Sequence, residues 1–165
     1  MLIIVALALA EGPASNPRPP PVLALAALES RSGSTVTGTV AFKQDGPMVH
    51  VTIDLAAATP GDHAVHIHEK GDCSAPDAAS AGSHFNPKKM DHGDVATAHH
   101  HPGDFGNVTV AADGKGHKEF DTDSFTLMGG ELNVTGLAII VHEKPDDFGQ
   151  PTGNAGGRQA CGVIK

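Results

Sequence analysis

An all-β fold, a sandwich or barrel of about eight short strands, is what this 165-residue sequence predicts. Three observations carry that expectation. β-Branched residues alternate with polar ones in runs such as Thr35–Phe42 (TVTGTVAF) and Met48–Leu55 (MVHVTIDL), the period-two pattern of a half-buried strand. Twenty glycines and twelve prolines, with no tryptophan or tyrosine, describe a turn-rich chain with small core side chains. Turn signals separate the runs at short intervals along the whole chain.

Taken in order, the chain opens with Leu2–Ala10, an apolar run ending Ala8-Leu9-Ala10 that looks like a secretory signal core with a small-residue cleavage site. No lysine or arginine precedes it, and it is too short to span a bilayer as a helix. A disordered apolar tail is the alternative. Glu11–Pro21 is a stiff, proline-rich linker, so the expected division is 1–21 as leader and linker and 22–165 as one folded domain. Val22–Leu28 reads equally as a first strand or a short helix. Thr35–Phe42 and Met48–Leu55 form a hairpin across Gln44–Pro47, with Met48, His50, Thr52 and Asp54 on the wet face. His63–Glu69 is a strand.

Residues 70–105 carry almost no apolar periodicity and form the first of two long loops, ordered or disordered; a metal and a disulfide would account for an ordered loop of that length. Gly106–Ala111 and Lys118–Asp121 are short strands, and Ser124–Leu132 crosses the fold. Val134–His142 (VTGLAIIVH) is a central strand, Asp146–Gly157 the second long loop, and Gln159–Lys165 the closing strand.

A formal net charge of −8 without a basic tract argues against nucleic acid and against stable membrane association of the folded domain. Cys73 and Cys161 lie far apart, outside any CxxC pattern. They are core thiols or one disulfide, and their loop and terminal settings favour the disulfide in an oxidising compartment. The expected location is therefore extracytoplasmic, periplasmic or secreted.

Eight of the eleven histidines fall between Asp62 and Asp104. Each buried imidazole needs a partner at both ring nitrogens, so such density has a purpose. In His66-Ile67-His68 the strand alternation puts both imidazoles on one face. His142 ends another strand, and His84, His92, His99–His101 and Asp104 decorate the long loop. Imidazole with an added carboxylate suits zinc and copper, and the supply exceeds one tetrahedral ion, so two metals sharing a bridging residue is the natural count.

Five segments, GDHAVHIHEKGD, SAGSHFNP, HPGDFGNVT, IIVHEKPDDFG and TGNAGGRQACGVI, stand in this order over residues 22–165. On them the chain closely resembles the copper–zinc superoxide dismutase family. The resemblance implies an eight-stranded Greek-key barrel and the dismutation of superoxide to O2 and H2O2. It implies His66, His68, His84 and His142 as copper ligands, and His84, His92, His101 and Asp104 as zinc ligands, with His84 as bridge. It further implies Asp146 and His63 as supporting residues, Cys73–Cys161 as a disulfide, and Arg158 as the dock for the anion beside copper, which makes Arg158 and His84 the catalytic pair. His99 and His100 are then surplus, with a solvated loop as their default. Two departures stand out. Cys73 and the subloop Ser74–Ala81 look like bacterial members, whereas SHFNP and HEKPDDFG look like the animal and plant type. That subloop carries dimer contacts in many eukaryotic members, so a homodimer stays open. Between Gly149 and Thr152 there is only Gln150-Pro151, in place of a longer charged patch that guides superoxide. Arg158 and Lys144 are the remaining positive groups near the site, and weaker electrostatic steering is expected. A copper-delivery protein or a non-catalytic metal buffer are the rival functions; the full copper set and the retained Arg158 argue against both.

Overall fold

In the computed structural model, residues 19–165 are described, and they form a closed antiparallel barrel. Its strands are β1 (Val22–Ser30), β2 (Thr37–Asp45), β3 (Met48–Ala56), β4 (Gly61–His68), β5 (Asp104–Val110), β6 (Gly116–Thr122), β7 (Ala138–His142) and β8 (Arg158–Val163). The order round the barrel is β1-β2-β3-β6-β5-β4-β7-β8, and β1 pairs with β8 to close it. Two connections cross between non-sequential neighbours, β3 to β4 and β6 to β7. These are the crossings of a Greek key. The signal-like run and most of the linker lie outside the described residues.

The ambiguous Val22–Leu28 is a strand, because its backbone pairs residue by residue with β2 from Val22↔Gln44 to Leu28↔Gly38. Alternation on β3 holds as expected: Val49, Val51, Ile53 and Leu55 are buried, and their neighbours face water. The expected strand Val134–His142 begins later, at Ala138. Gly136 takes a left-handed φ of 89°, and the Val134 N–H bonds to Thr126 O at 2.9 Å in the crossing segment instead. Edges elsewhere shift by a few residues, most usefully at β8, which starts at Arg158.

Inside the barrel, β-branched side chains pack around Phe42, Phe105 and Phe125, whose ring centroids lie 5.8–6.4 Å apart. β7 is buried at all five positions. Ile139 and Val141 point into this core, while Ala138 and Ile140 point outward into a second, small cluster with Ala78, Ala81 and Cys161. β4 is likewise covered on both faces from His63 onward. Burial of both faces follows from the two long loops folding over the outside of β4 and β7. The first loop holds one short 3-10 turn, Ala79–Ala81, and is tied down by the disulfide Cys73–Cys161 and a bridge between His68 and His84.

Candidate metal centre

The centre lies on the outer face of β4 and β7, under those loops. Val65 and Ile67 take the inward positions of β4, so His66 and His68 must point outward. On β7 the outward set is Ala138, Ile140 and His142, and the register places His66 beside Ile140 and His68 beside Ala138. Three imidazoles therefore converge on one patch of sheet.

Two β-bulges aim further residues at it. Between β4 and β5, Ala64 pairs with Asn107 but His66 pairs with Asp104, leaving one extra residue on β5. Gly106 absorbs the irregularity at φ 68°. An unbroken ladder would have set Phe105 opposite His66 and Asp104 inward. The bulge reverses this: Phe105 enters the core, fully buried, and Asp104 turns to the histidines. Between β7 and β8, Val141 pairs with Ala160 but His142 pairs with Arg158, with Gln159 the extra residue. That bulge brings Arg158 beside His142.

Ligand atoms of His66, His68, His84 and His142 lie within 4.8 Å of one another, as do those of His84, His92, His101 and Asp104. All seven residues are buried, and His84 belongs to both groups. Its Nδ1 is 3.2 Å from Asp104 Oδ1, which leaves Nε2 for the first group. The His66 and His84 ring centroids are 4.1 Å apart.

The nitrogens facing the two centres lack hydrogen-bond partners. In the first group these are Nδ1 of His66, Nε2 of His68 and Nε2 of His142; in the second, Nδ1 of His92 and His101 face no partner except the Asp104 carboxylate, at 2.9 and 3.2 Å, itself a member of the group. Buried polar atoms left unpaired are costly, and their convergence fits a bound cation. In His66, His68 and His92 the opposite nitrogen is held. His66 Nε2 donates to Asp146 Oδ2 at 2.8 Å, and His68 Nδ1 donates to the Gly82 carbonyl at 2.8 Å. His92 Nε2 donates to Asp146 Oδ1, also at 2.8 Å. Asp146 thus joins one histidine of each group, the kind of contact that orients metal ligands. His63 lies behind, donating from Nδ1 to the His142 carbonyl at 2.8 Å, with Nε2 against Thr59.

Charge differs between the two halves. Burial lowers His68 to about 3, with nearby imidazoles adding to the effect. Burial also lowers His84 to about 4, against the opposing pull of Asp104. His142 is pushed well down by burial and by His66, His68 and His84. Burial would lower His92 too, but hydrogen bonds to Asp104 and Asp146 win and raise it to about 9. Burial opposes ionisation of Asp104, yet bonds from His101, His84 and His92 hold it far below the usual carboxylate range. Asp146 is lowered by His66 and His92 in the same way, again against burial. In one half burial favours neutral imidazole at His68, His84 and His142, which suits a softer ion. The other carries a fixed carboxylate.

Arg158 borders a cleft of about 370 Å³ that opens on His68, His84 and His142. Its guanidinium donates to the Ala78 and Gly82 carbonyls, both at 2.7 Å, and Gly82 also orients His68. Lys144 stands exposed on the flank, its stem against Gly156. His99 is exposed, as expected of a surplus residue. His100 departs from expectation: it is buried, its Nδ1 donates to the His101 carbonyl at 2.7 Å, and its Nε2 lies 3.3 Å from Ser124 Oγ. Sequence reasoning assigned no part to Asn107 or Gln150. Asn107 pairs with the Asp146 backbone, accepting from its N–H at 2.7 Å and donating to its carbonyl at 3.0 Å. Neither residue carries a local pattern that could have marked it.

A Greek-key barrel with two adjoining histidine-rich groups, fused through one imidazole and opening beside an arginine, defines a two-metal protein with a small anion-accessible cleft. The chain belongs to the copper/zinc superoxide dismutase family, whose sequence model matches residues 36–164. It is 36% identical over 151 residues to the extracellular Cu-Zn superoxide dismutase of Brugia pahangi, covering 86% of this chain and 74% of that protein. It is 40% identical over 144 residues to the Cu-Zn superoxide dismutase of Onchocerca volvulus, covering 80% and 90%. The Cu-Zn superoxide dismutase 4 of Dictyostelium discoideum is 39% identical over 140 residues, with 80% and 92% covered. Among solved structures, that of the clock protein EA4 is similar with a TM-score of 0.79 and 38% identity, over 90% of this chain and 97% of that one.

Proposed function

We propose that this chain is a superoxide dismutase, with copper held by His66, His68, His84 and His142 and zinc by His84, His92, His101 and Asp104. The observation that carries the proposal is the pair of four-residue groups sharing His84, the first lined by unpaired ring nitrogens and the second by ring nitrogens that converge on the Asp104 carboxylate. Copper held there would supply the one-electron redox chemistry by which one superoxide is oxidised to O2 and a second, taking up that electron and two protons, is reduced to H2O2; zinc would supply a fixed positive charge.

The chain's own residues do the rest. Arg158 docks the anion at the mouth of the cleft, its planar fork pre-set by two carbonyls so that little freedom is lost on binding. His84 Nε2, when not bound to copper, would hold one of the two protons that the reduced oxygen takes up, the other coming from water, and Asp104 beside Nδ1 keeps the ring oriented. Asp146 and His63 hold the ligands from behind. The cleft is lined mainly by polar groups, His68, Ser83, His84, His142, Thr152, Asn154 and Arg158 among them, which suits a small anion. With the second loop short, Arg158 on the cleft and Lys144 beside Gly156 are the positive groups that would draw an anion toward a chain of net charge −8, so steering is weaker than a longer charged loop would give.

Export is supported by the Cys73–Cys161 disulfide and by an extracellular relative. Among the described residues no helix is long and apolar enough to cross a membrane. Homodimerisation belongs to the same proposal and is tested by sedimentation. The function itself is tested by metal analysis with a dismutation assay on purified protein. Full copper and zinc loading with no activity would overturn it.

A further inference from the structure

The shortened second loop does more than join Gly149 to Thr152. Its Gln150 carboxamide pairs with the backbone of His92, 58 residues away in sequence. Gln150 Oε1 accepts from the His92 N–H at 3.0 Å, and Nε2 donates to the His92 carbonyl at 2.8 Å. A carboxamide presents donor and acceptor side by side, so it can satisfy both peptide groups of one residue as a neighbouring strand would. The turn carrying Gln150 is itself closed. Gly153 N–H bonds to Gly149 O at 2.7 Å, and Asp147 N–H to Gly153 O at 3.0 Å. Gly153 then lies so close to the His92–Asp146 pair that a Cβ there would collide with the Asp146 carboxylate and stand 2.6 Å from His92 Nε2. Asn107 makes the matching pair on the Asp146 backbone. Each half of the His92–Asp146 contact therefore has its main chain held by its own carboxamide. His92 needs this, because residues 91–94 belong to no strand or helix that would fix its backbone.

We infer that Gln150 is a positioning residue for His92, and that the short loop is a strap presetting His92 Nδ1 for zinc. This rests on the zinc assignment made above. The test uses the full chain with Gln150→Ala and Gln150→Glu. Zinc affinity is measured by competition with a chromophoric chelator, copper affinity by the same method, and the site's geometry by the visible spectrum of cobalt(II) in place of zinc. Melting of the metal-free chains gives the control. Gln150→Ala should bind zinc about tenfold more weakly, with an altered cobalt spectrum. Copper affinity and the metal-free melting temperature should stay at the wild-type values. Gln150→Glu keeps the acceptor for the His92 N–H but turns an oxygen toward its carbonyl, and should be at least as weak. Unchanged zinc affinity in Gln150→Ala would overturn the strap alone. So would a parallel fall in zinc affinity, copper affinity and metal-free melting temperature, which would mark a general packing role. A wild-type chain that takes up no zinc would instead refute the zinc assignment, and the strap with it.

Discussion

Replacing Asp146 by Asn isolates the link between the two metal groups. The substitution keeps the volume of a side chain in a residue only 3% exposed, so packing is preserved. What changes is the number of acceptors. In the wild type, Asp146 receives His66 Nε2 at 2.8 Å, His92 Nε2 at 2.8 and 3.0 Å, and the Phe148 N–H at 2.8 Å. An amide has one oxygen, so its NH2 must face one of the two ring N–H groups. At least one charge-assisted hydrogen bond is lost, worth about 1.5–3 kcal/mol, and that ring is free to turn or to move its proton to the nitrogen meant for metal. Binding of at least one of the two metals should weaken about 10–100-fold. Chelator competition for zinc and copper, run separately on the metal-free variant, reads this directly. Isotherms for both metals that superimpose on wild type would refute the argument that Asp146 orients the ligands.

Other consequences follow from the same geometry. Arg158→Ala should retain both metals yet lower the dismutation rate about tenfold or more, and the wild-type rate should fall only gently with added salt. An unchanged rate in the variant, or a steep salt dependence in the wild type, would remove the docking role or the weak steering, respectively. Zinc uptake at pH 7 should release about one proton, because His92, raised to about 9, is charged in the metal-free chain and must lose its Nδ1 proton to bind. Calorimetry in buffers of different ionisation enthalpy counts it. The sign differs for metal-free stability. His68 and His84, lowered to about 3 and about 4, contribute stability that is full above their unfolded pKa of 6.5 and lost as pH falls through their folded values. His92 contributes below 6.5 and loses that contribution as pH rises through about 9. Metal-free melting temperature should therefore peak near pH 6.5 and fall on acidification toward pH 4; a monotonic rise from pH 6.5 to 9 would contradict it. Breaking the Cys73–Cys161 bond, which spans 88 residues, should cost about 4–5 kcal/mol on the chain-entropy account, measured by denaturant unfolding of a double Cys→Ser variant.

Much of this molecule is determined by local sequence. Alternating β-branched residues set the strand faces, and His66-Ile67-His68 puts two imidazoles outward wherever Ile67 is buried. The ligand inventory and the separation of Cys73 from Cys161 are equally plain in the one-dimensional chain. Tertiary structure decided what depends on pairing between distant segments. Whether Asp104 or Phe105 enters the core is settled by a bulge against β4, and whether Arg158 faces His142 by a bulge against β7. Both are single-residue slips in a ladder, and a one-residue slip reverses the face of every side chain beyond it. His100 looked like a surplus loop histidine, and became a buried tie between His101 and Ser124 only because the crossing segment passes over it. Gln150 and Asn107 act through carboxamides that reach 58 and 39 residues along the chain, at positions no periodicity singles out. Local patterning determined which side chains are available to bind metal; the non-local ladder and the loops folded over it decided which of them meet.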